Sequence, residues 1–505
     1  MNPATWQSLE DRMRELADLW RTSALLSWDQ QTMMPPRGAE GRARATATLR
    51  VISHQRLVDP KLGELLEEAA ADGLDTPRAA MVRVLRREHD QSVRLPDDFI
   101  RRLALATSRG QAVWQAARRD RDWASFLPCI EQIVDLKREQ ADMLGHDGER
   151  YDALLDLYEP GMRTERVERT FAALASELTE LIDAIGAAGP PADPPFAGAS
   201  FSDACQWDLT IRMLADIGFD FEAGRQDRSA HPFTTTIALH DIRLTTRIDE
   251  ADPFSAVSST LHEAGHGLYD QGFDPEYEDT PIAQAPSLGL HESQSRLWED
   301  LVGRSLPFWR RYTPVMHEVF GSAMHGATVE DVYRQVNRVT PSLIRVEADE
   351  VTYNMHILVR FELELALMRG DLAAADLPAA WNDAYRRRLG IAPPHDGDGV
   401  LQDVHWSSGA FGYFPTYTIG NLYSALLWER IRVDLPAIEA QVEAGDFAPL
   451  LGWLREKVHR PGYLMEGEDL ITHVTGSGLT HEPFMAYLWA KYGDLYGVRR
   501  AGETA

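Results

Sequence analysis

The segment His262-Glu263-Ala264-Gly265-His266 constrains the fold more than any other stretch of this sequence. Histidines four residues apart share a face on an α-helix, where both imidazoles can turn toward one metal ion. Glu263 sits beside that face and is placed to take a proton from metal-bound water. Two imidazoles do not complete a tetrahedral zinc sphere, so the fold must bring a third protein ligand from another segment and keep a fourth position for water or substrate. With 16 histidines in 505 residues, the pattern arises by accident in only about a few of every hundred such chains. Its surroundings therefore decide what it means.

The third ligand is expected from His291-Glu292-Ser293-Gln294-Ser295-Arg296, within a helix read over Pro286 to Trp298. Glu292 is the leading candidate, because its separation from His266 leaves room for one loop and a reversal of direction. His291, Glu299 and Asp300 compete with it. Glu299 lies two turns farther along, about 10 Å from Glu292 by the rise of a helix, too far to share its metal. Most glutamates are plain surface carboxylates, and only the unfilled histidine pair lifts Glu292 above that background. Gly265 and Gly267 each cost about 1 kcal/mol of helix propensity relative to alanine, and they read as clearance for a neighbouring chain or substrate. A His/His/Glu set selects zinc, one ion per subunit, with cobalt or manganese able to replace it in vitro.

Cys129 and Cys205 are the only cysteines, so neither a disulfide framework nor a thiolate metal site is indicated. A net charge of -27 argues against nucleic acid as partner, since phosphates call for a basic surface. No stretch reaches about 18 consecutive apolar residues, and the amino-terminal region lacks the apolar run and cleavage site of an exported chain. The expectation is a cytoplasmic protein without a membrane partner.

Most of the chain reads as helix. Apolar residues recur at threes and fours over Leu62 to Ala71, Ala79 to Asp90, Asp98 to Arg119, Val167 to Gly186, Cys205 to Ile217 and Phe254 to Tyr269. The same reading extends to Thr328 to Val336, Glu347 to Leu367, Ala379 to Arg388, Gly420 to Arg432 and His481 to Leu495. Pro190-Pro191 and Pro194-Pro195 cannot continue a helix and mark a connection, and Pro393 to Asp403 is a second loop. Thr235 to His240 and Ile242 to Ile248 are β-branched runs expected as a hairpin or small sheet directly ahead of the metal helix. An edge strand there can pair with an extended peptide. The expected organisation is one domain over 1–505, divided into a helical subdomain 1–188, a linker 189–200 and a catalytic portion 201–505.

Several separated blocks together resemble the carboxypeptidase Taq family of zinc metallocarboxypeptidases, peptidase family M32. Besides the two metal segments they are His231-Pro232-Phe233, Asp241-Ile242-Arg243-Leu244-Thr245, Ile344-Arg345-Val346-Glu347-Ala348-Asp349 and Gly399-Val400-Leu401-Gln402-Asp403-Val404-His405-Trp406, with Trp28-Asp29-Gln30 and Met34-Pro35 near the amino terminus. The likeness spans nearly the whole chain. It implies a mainly α, gluzincin-like zincin: a large helical body with a deep active-site groove and a small β-sheet beside the zinc-binding helix. It further implies homodimers that release residues stepwise from peptide carboxyl termini with broad preference, disfavouring proline near the cleavage site. In this reading His262, His266 and Glu292 are the ligands and Glu263 the general base.

Removal of a terminal residue requires a group that reads the free carboxylate, and arginine does so through paired hydrogen bonds. Arg345 is the first choice from its place in a family-like block, and Arg243 the second. Tyr417 and Tyr413, within a glycine-rich turn ahead of a helix, are expected as oxyanion or substrate donors, Tyr417 preferred for the oxyanion and Tyr413 for substrate, with His405 as a further donor whose tautomer Asp403 is placed to fix. His231 and Asp241 stand open between substrate contact and support of other side chains, and plain structural hydrogen bonding is an equal reading for them and for His405. Two alternatives accompany this: a zinc oligopeptidase with endo or dipeptide-releasing action, and a non-enzymatic helical interaction module stabilised by metal.

Overall fold

The computed structural model describes residues 3–71 and 73–500. Helices dominate, and one three-stranded sheet is the only sheet among the described residues. The periodic segments become helices with ends moved by a few residues: Asp98 to Arg119 runs over Asp97–Asp120, and Val167 to Gly186 over Thr164–Ala188. Residues 189–202 are not helical, as the paired prolines require.

The sheet consists of β1 (Gly224–Arg228), β2 (Thr234–Ala238) and β3 (Asp241–Thr246) in the order β1-β3-β2. β2 and β3 form the expected antiparallel hairpin, with Thr234 opposite Leu244. β1 was not expected. It pairs parallel with β3, Gly224 opposite Ile242 and Arg228 opposite Thr246, and its composition, Gly-Arg-Gln-Asp-Arg, offers no apolar alternation to betray it.

Two helix starts differ from the sequence reading. The segment expected as helix from Glu347 begins at Tyr353, because the Asp349 carboxylate accepts from the backbone nitrogens of Val351 and Thr352 and turns the chain there. The segment expected from Gly420 begins at Pro415, proline being tolerated in a first helical turn. Tyr417 is therefore in the first turn of a helix rather than in a turn preceding one.

Buried side chains divide into two groups. One continuous core runs from Phe99 to Tyr492 and includes residues on both sides of 189–200, such as Phe171 and Leu209. A smaller cluster joins Trp6, Leu9, Met13, Leu62, Leu66 and Leu85 to Ile282 and Tyr463.

The large core carries the metal helix, Pro253–Asp270, whose Asp252 cap accepts from the Phe254 nitrogen, a contact worth about 1 kcal/mol. Facing it is the glutamate helix, Leu288–Arg296, which widens into a π-helical turn over Leu297–Val302. Two glycines set how closely this helix is gripped. A Cβ on Gly265 would stand 2.4 Å from the Gln294 carbonyl oxygen, and one on Gly420, in the helix Pro415–Asp434, 2.5 Å from Glu292 Cγ. Gly267 leaves room for Leu244 of β3, 2.8 Å from where its Cβ would be. The clearance expected at Gly265 and Gly267 thus serves packing of the neighbouring helix and sheet rather than substrate.

Candidate metal centre

His262 and His266 project from one face of the metal helix toward Glu292. Their Nε2 atoms stand 3.7 Å and 3.4 Å from Glu292 Oε2, and the donor atoms all lie within 4.8 Å of one another. Ligands about 2.1 Å from a tetrahedral ion are about 3.4 Å apart, so the two nitrogen–oxygen separations are close to those of a zinc sphere. The side chains of His262 and His266 are 20% and 14% exposed, which keeps one side of the site open to solvent.

Other side chains hold the donors from behind. Glu299 Oε2 accepts from His262 Nδ1 at 2.8 Å, which turns Nε2 toward the centre. Arg296 Nε donates to Glu292 Oε1 at 2.7 Å, so Oε2 faces the histidines, where it also accepts from the Ser295 hydroxyl at 3.2 Å. The His266 ring stacks on His291, centroids 4.3 Å apart and planes 13° from parallel, and His291 Nε2 lies 3.1 Å from Asp270 Oδ1. Burial favours a neutral Glu292, but Arg296 and the two histidines prevail and hold its carboxyl well below the usual carboxylate range. Burial likewise disfavours a charged His262, and Glu292 and Glu299 overcome it, raising His262 to about 9. A field that draws a proton this strongly also suits a dication.

Glu263 lies on the same helix, buried. Its Oε2 accepts from the Thr234 hydroxyl at 2.6 Å, which also reaches the Glu263 carbonyl at 3.0 Å. That contact ties β2, an edge strand, to the metal helix. Burial raises the Glu263 carboxyl above its ordinary range.

A second group gathers beside the triad. Arg345 is buried; its Nε donates to Asp403 Oδ1 at 3.0 Å and its Nη1 to the Tyr353 hydroxyl at 3.2 Å. The Tyr353 ring lies under the Arg296 guanidinium at 4.4 Å, so two contacts separate Arg345 from the residue that holds Glu292. The Arg345 guanidinium also lies 5.1 Å from the Tyr417 ring. Tyr417 Oη is 3.3 Å from His405 Nε2, and the Tyr413 and Tyr417 rings meet edge to face at 5.4 Å. Burial pushes the Tyr417 hydroxyl well above its ordinary range, while burial and the Arg345 charge lower His405 to about 3.

The expected Asp403–His405 pairing does not form. Nδ1 of His405 is 3.9 Å from Asp403 and has no hydrogen-bond partner among the described residues, because Asp403 is already taken by Arg345 and by the fully buried Arg360. The paired fork expected of Arg345 is likewise reduced: Nε and Nη1 are engaged, leaving Nη2. Arg243 and Asp241 pair with each other through two hydrogen bonds of 2.8 and 2.9 Å, and the guanidinium lies 4.3 Å over Trp28. His231 is exposed, and its carbonyl accepts from the Ser229 hydroxyl.

Sequence reading missed the supports: Glu299, Arg296, Thr234, Asp270 and Arg360. On the sequence Glu299 reads only as a competing ligand, too far along its helix to share the metal of Glu292. The signal that could have found it is the second ring nitrogen of His262, which a metal-bound imidazole uses to fix its orientation. Asp300, another competitor, pairs with Arg304 at 2.9 Å.

The model of the carboxypeptidase Taq (M32) metallopeptidase family matches residues 8–492. Thermostable carboxypeptidase 1 of Thermus thermophilus is 45% identical over 508 aligned residues, covering 98% of this chain and 99% of that protein. Carboxypeptidase 1 of Bacillus subtilis is 34% identical, covering 96% and 97%. The crystal structure of an M32 carboxypeptidase from Deinococcus radiodurans superposes with a TM-score of 0.96 at 42% identity, covering 98% of this chain and 100% of that one.

Proposed function

Because the chain belongs to the carboxypeptidase Taq (M32) metallopeptidase family, and is thereby a zinc-dependent carboxypeptidase, we propose that it releases amino acids stepwise and with broad preference from the carboxyl ends of peptides. The observation that carries this reading is the His262/His266/Glu292 set with Glu263 beside it. When bound there, zinc supplies a Lewis acid that acidifies water and polarises the scissile carbonyl. Glu263 accepts the proton of the attacking water at Oε2 and delivers it to the departing amine. Its raised proton affinity suits a group that must both take and give. Tyr417, kept neutral by burial, donates its hydroxyl to the developing oxyanion. His405, neutral and in contact with that hydroxyl, orients it, and Tyr413 packs against both.

Arg345 reads the terminal carboxylate through Nη2, its other nitrogens being fixed by Asp403 and Tyr353. A peptide continuing beyond that point meets a buried guanidinium with no anion to offer it, which favours exo over endo cleavage. β2, as an edge strand tied to Glu263, is available to align the peptide backbone, with the Arg243–Asp241 pair on the adjacent strand. What supports a second copy of the chain as partner is the amino-terminal helix pair: the helix Ala39–Leu57 has no buried residue, and Trp20, Leu25, Met33 and Val51 are exposed nearby in sequence. No described helix is long and apolar enough to cross a membrane.

The test is mass spectrometry of a peptide mixture digested with and without chelator, using free-acid and carboxyl-amidated versions of the same sequences. Ladders from the free carboxyl ends that vanish with chelator are expected. Internal cuts, or equal cleavage of amidated peptides, overturn the reading in favour of an oligopeptidase.

A further inference from the structure

Glu364 takes no part in the chemistry described above, yet it is fully buried in the helix Tyr353–Arg369 and accepts three hydrogen bonds. Oε2 accepts from the Tyr151 hydroxyl at 2.6 Å and from the backbone nitrogen of Gly412 at 3.1 Å, and Oε1 accepts from the Trp406 indole at 2.8 Å. Trp406 and Gly412 belong to the segment 405–413. That segment presents His405 and Tyr413 and leads directly into the helix whose first turn carries Tyr417.

Loops ordinarily run over the surface. This one is wedged between helices: a Cβ on Gly412 would stand 2.6 Å from the Leu154 carbonyl, and one on Gly110 2.8 Å from the carbonyl oxygen of Ser407. Gly409 and Gly412 adopt φ of +76° and +88°, a conformation that favours glycine, and at Gly412 the Leu154 backbone leaves no room for a Cβ. Burial pushes Glu364 up to about 7, against the pull of its three donors and the nearby Lys137. An acid this deeply buried is costly to keep, and its hydrogen bonds converge on the segment that carries the proposed oxyanion donors.

We propose that Glu364 is a positioning residue for peptide hydrolysis: by gripping Trp406 and Gly412 it fixes where His405, Tyr413 and Tyr417 stand relative to the metal. This rests on the reading of Tyr417 as the oxyanion donor. It differs from a plain stabilising role because only two of the three donors belong to the loop, so loss of a loop donor and loss of Tyr151 should separate.

The experiment compares Trp406→Phe with Tyr151→Phe in the zinc-loaded full chain. Each removes one hydrogen bond from the same carboxylate and keeps an aromatic ring. Trp406→Phe is expected to lower kcat by about 10-fold or more, with KM within about two-fold, because a small misplacement of a transition-state donor is costly. Tyr151→Phe is expected to leave kcat within about two-fold even where it lowers the melting temperature. Equal kcat in the two variants overturns the inference.

Tyr417→Phe, measured alongside, distinguishes the underlying reading. If it leaves kcat unchanged, Tyr417 is not the donor, and the inference is then decided by amide hydrogen exchange over 405–413. Faster exchange in Trp406→Phe but not in Tyr151→Phe supports it, and equal exchange overturns it. Should Trp406→Phe not accumulate as folded protein, Glu364→Gln is read by the same two measurements against Tyr151→Phe.

Discussion

The two flanks of the site are built by different means. On the metal flank His262, Glu292 and the base are held by hydrogen bonds that each involve a charged group, Glu299 on His262, Arg296 on Glu292 and the Glu263 carboxylate on Thr234, while His266 stacks on His291. On the donor flank, His405, Tyr413 and Tyr417 are held mainly by aromatic edges, by a 3.3 Å contact between His405 and Tyr417, by the Arg345 guanidinium 5.1 Å from the Tyr417 ring, and by a loop whose anchor lies behind it. Charge-assisted hydrogen bonds are shorter and about twice as strong as neutral ones. The metal flank is thereby fixed before substrate arrives, while the donor flank depends on packing.

The largest test of this contrast is Glu263→Gln. It should lower kcat by about 10²- to 10⁴-fold while metal analysis still finds one zinc per chain, since Glu263 is not a ligand in this arrangement. Retained activity would place the base elsewhere. Next comes Glu299→Ala, expected to weaken zinc binding by about 10- to 100-fold in chelator competition; an unchanged affinity would mean that the helix alone orients His262.

A smaller effect is expected from Gly265→Ala, whose new methyl group would press on the Gln294 carbonyl. Overpacking of this kind costs about 1–3 kcal/mol, read by urea unfolding, and Gly186→Ala, inside the helix Thr164–Ala188 with open space around it, serves as the control and should gain up to about 1 kcal/mol. No loss at Gly265 would show that the helix spacing is softer than it looks.

The smallest concerns pH and the donor flank. The folded-state pKa of Glu364 is raised from 4.5 to about 7, chiefly by burial, so the folded protein holds this proton more tightly than the unfolded chain. Its stabilising contribution is complete below the unfolded value and is lost as pH rises through about 7. Wild type should therefore exceed Glu364→Gln in stability by more at about pH 5 than at about pH 8 in paired urea melts. A constant difference would show that Glu364 does not titrate in this window.

The same contrast explains what could be read from sequence. His262, Glu263 and His266 were legible because their relation is local: helical spacing alone fixes it. Glu292 was legible because the pair needs a third ligand and the next helix offers one. The hairpin of β2 and β3 followed from its β-branched runs. β1 did not, since a short polar strand paired in parallel carries no pattern of its own. Arg345 could be named but not its setting, because Asp403 reaches it from 58 residues along the chain and is itself shared with Arg360, 43 residues before it. The link between Glu364 and Trp406 is equally non-local, and no spacing rule joins a mid-helix glutamate to an indole in a loop.

Gly265 and Gly420 let two neighbouring helices close on the glutamate helix, and neither is itself a ligand. They work as the two jaws of a gauge whose setting is the absence of a side chain. Attempts to retune this enzyme by directed evolution should therefore leave these two blanks fixed alongside the ligands and direct variation away from the seam where the jaws close.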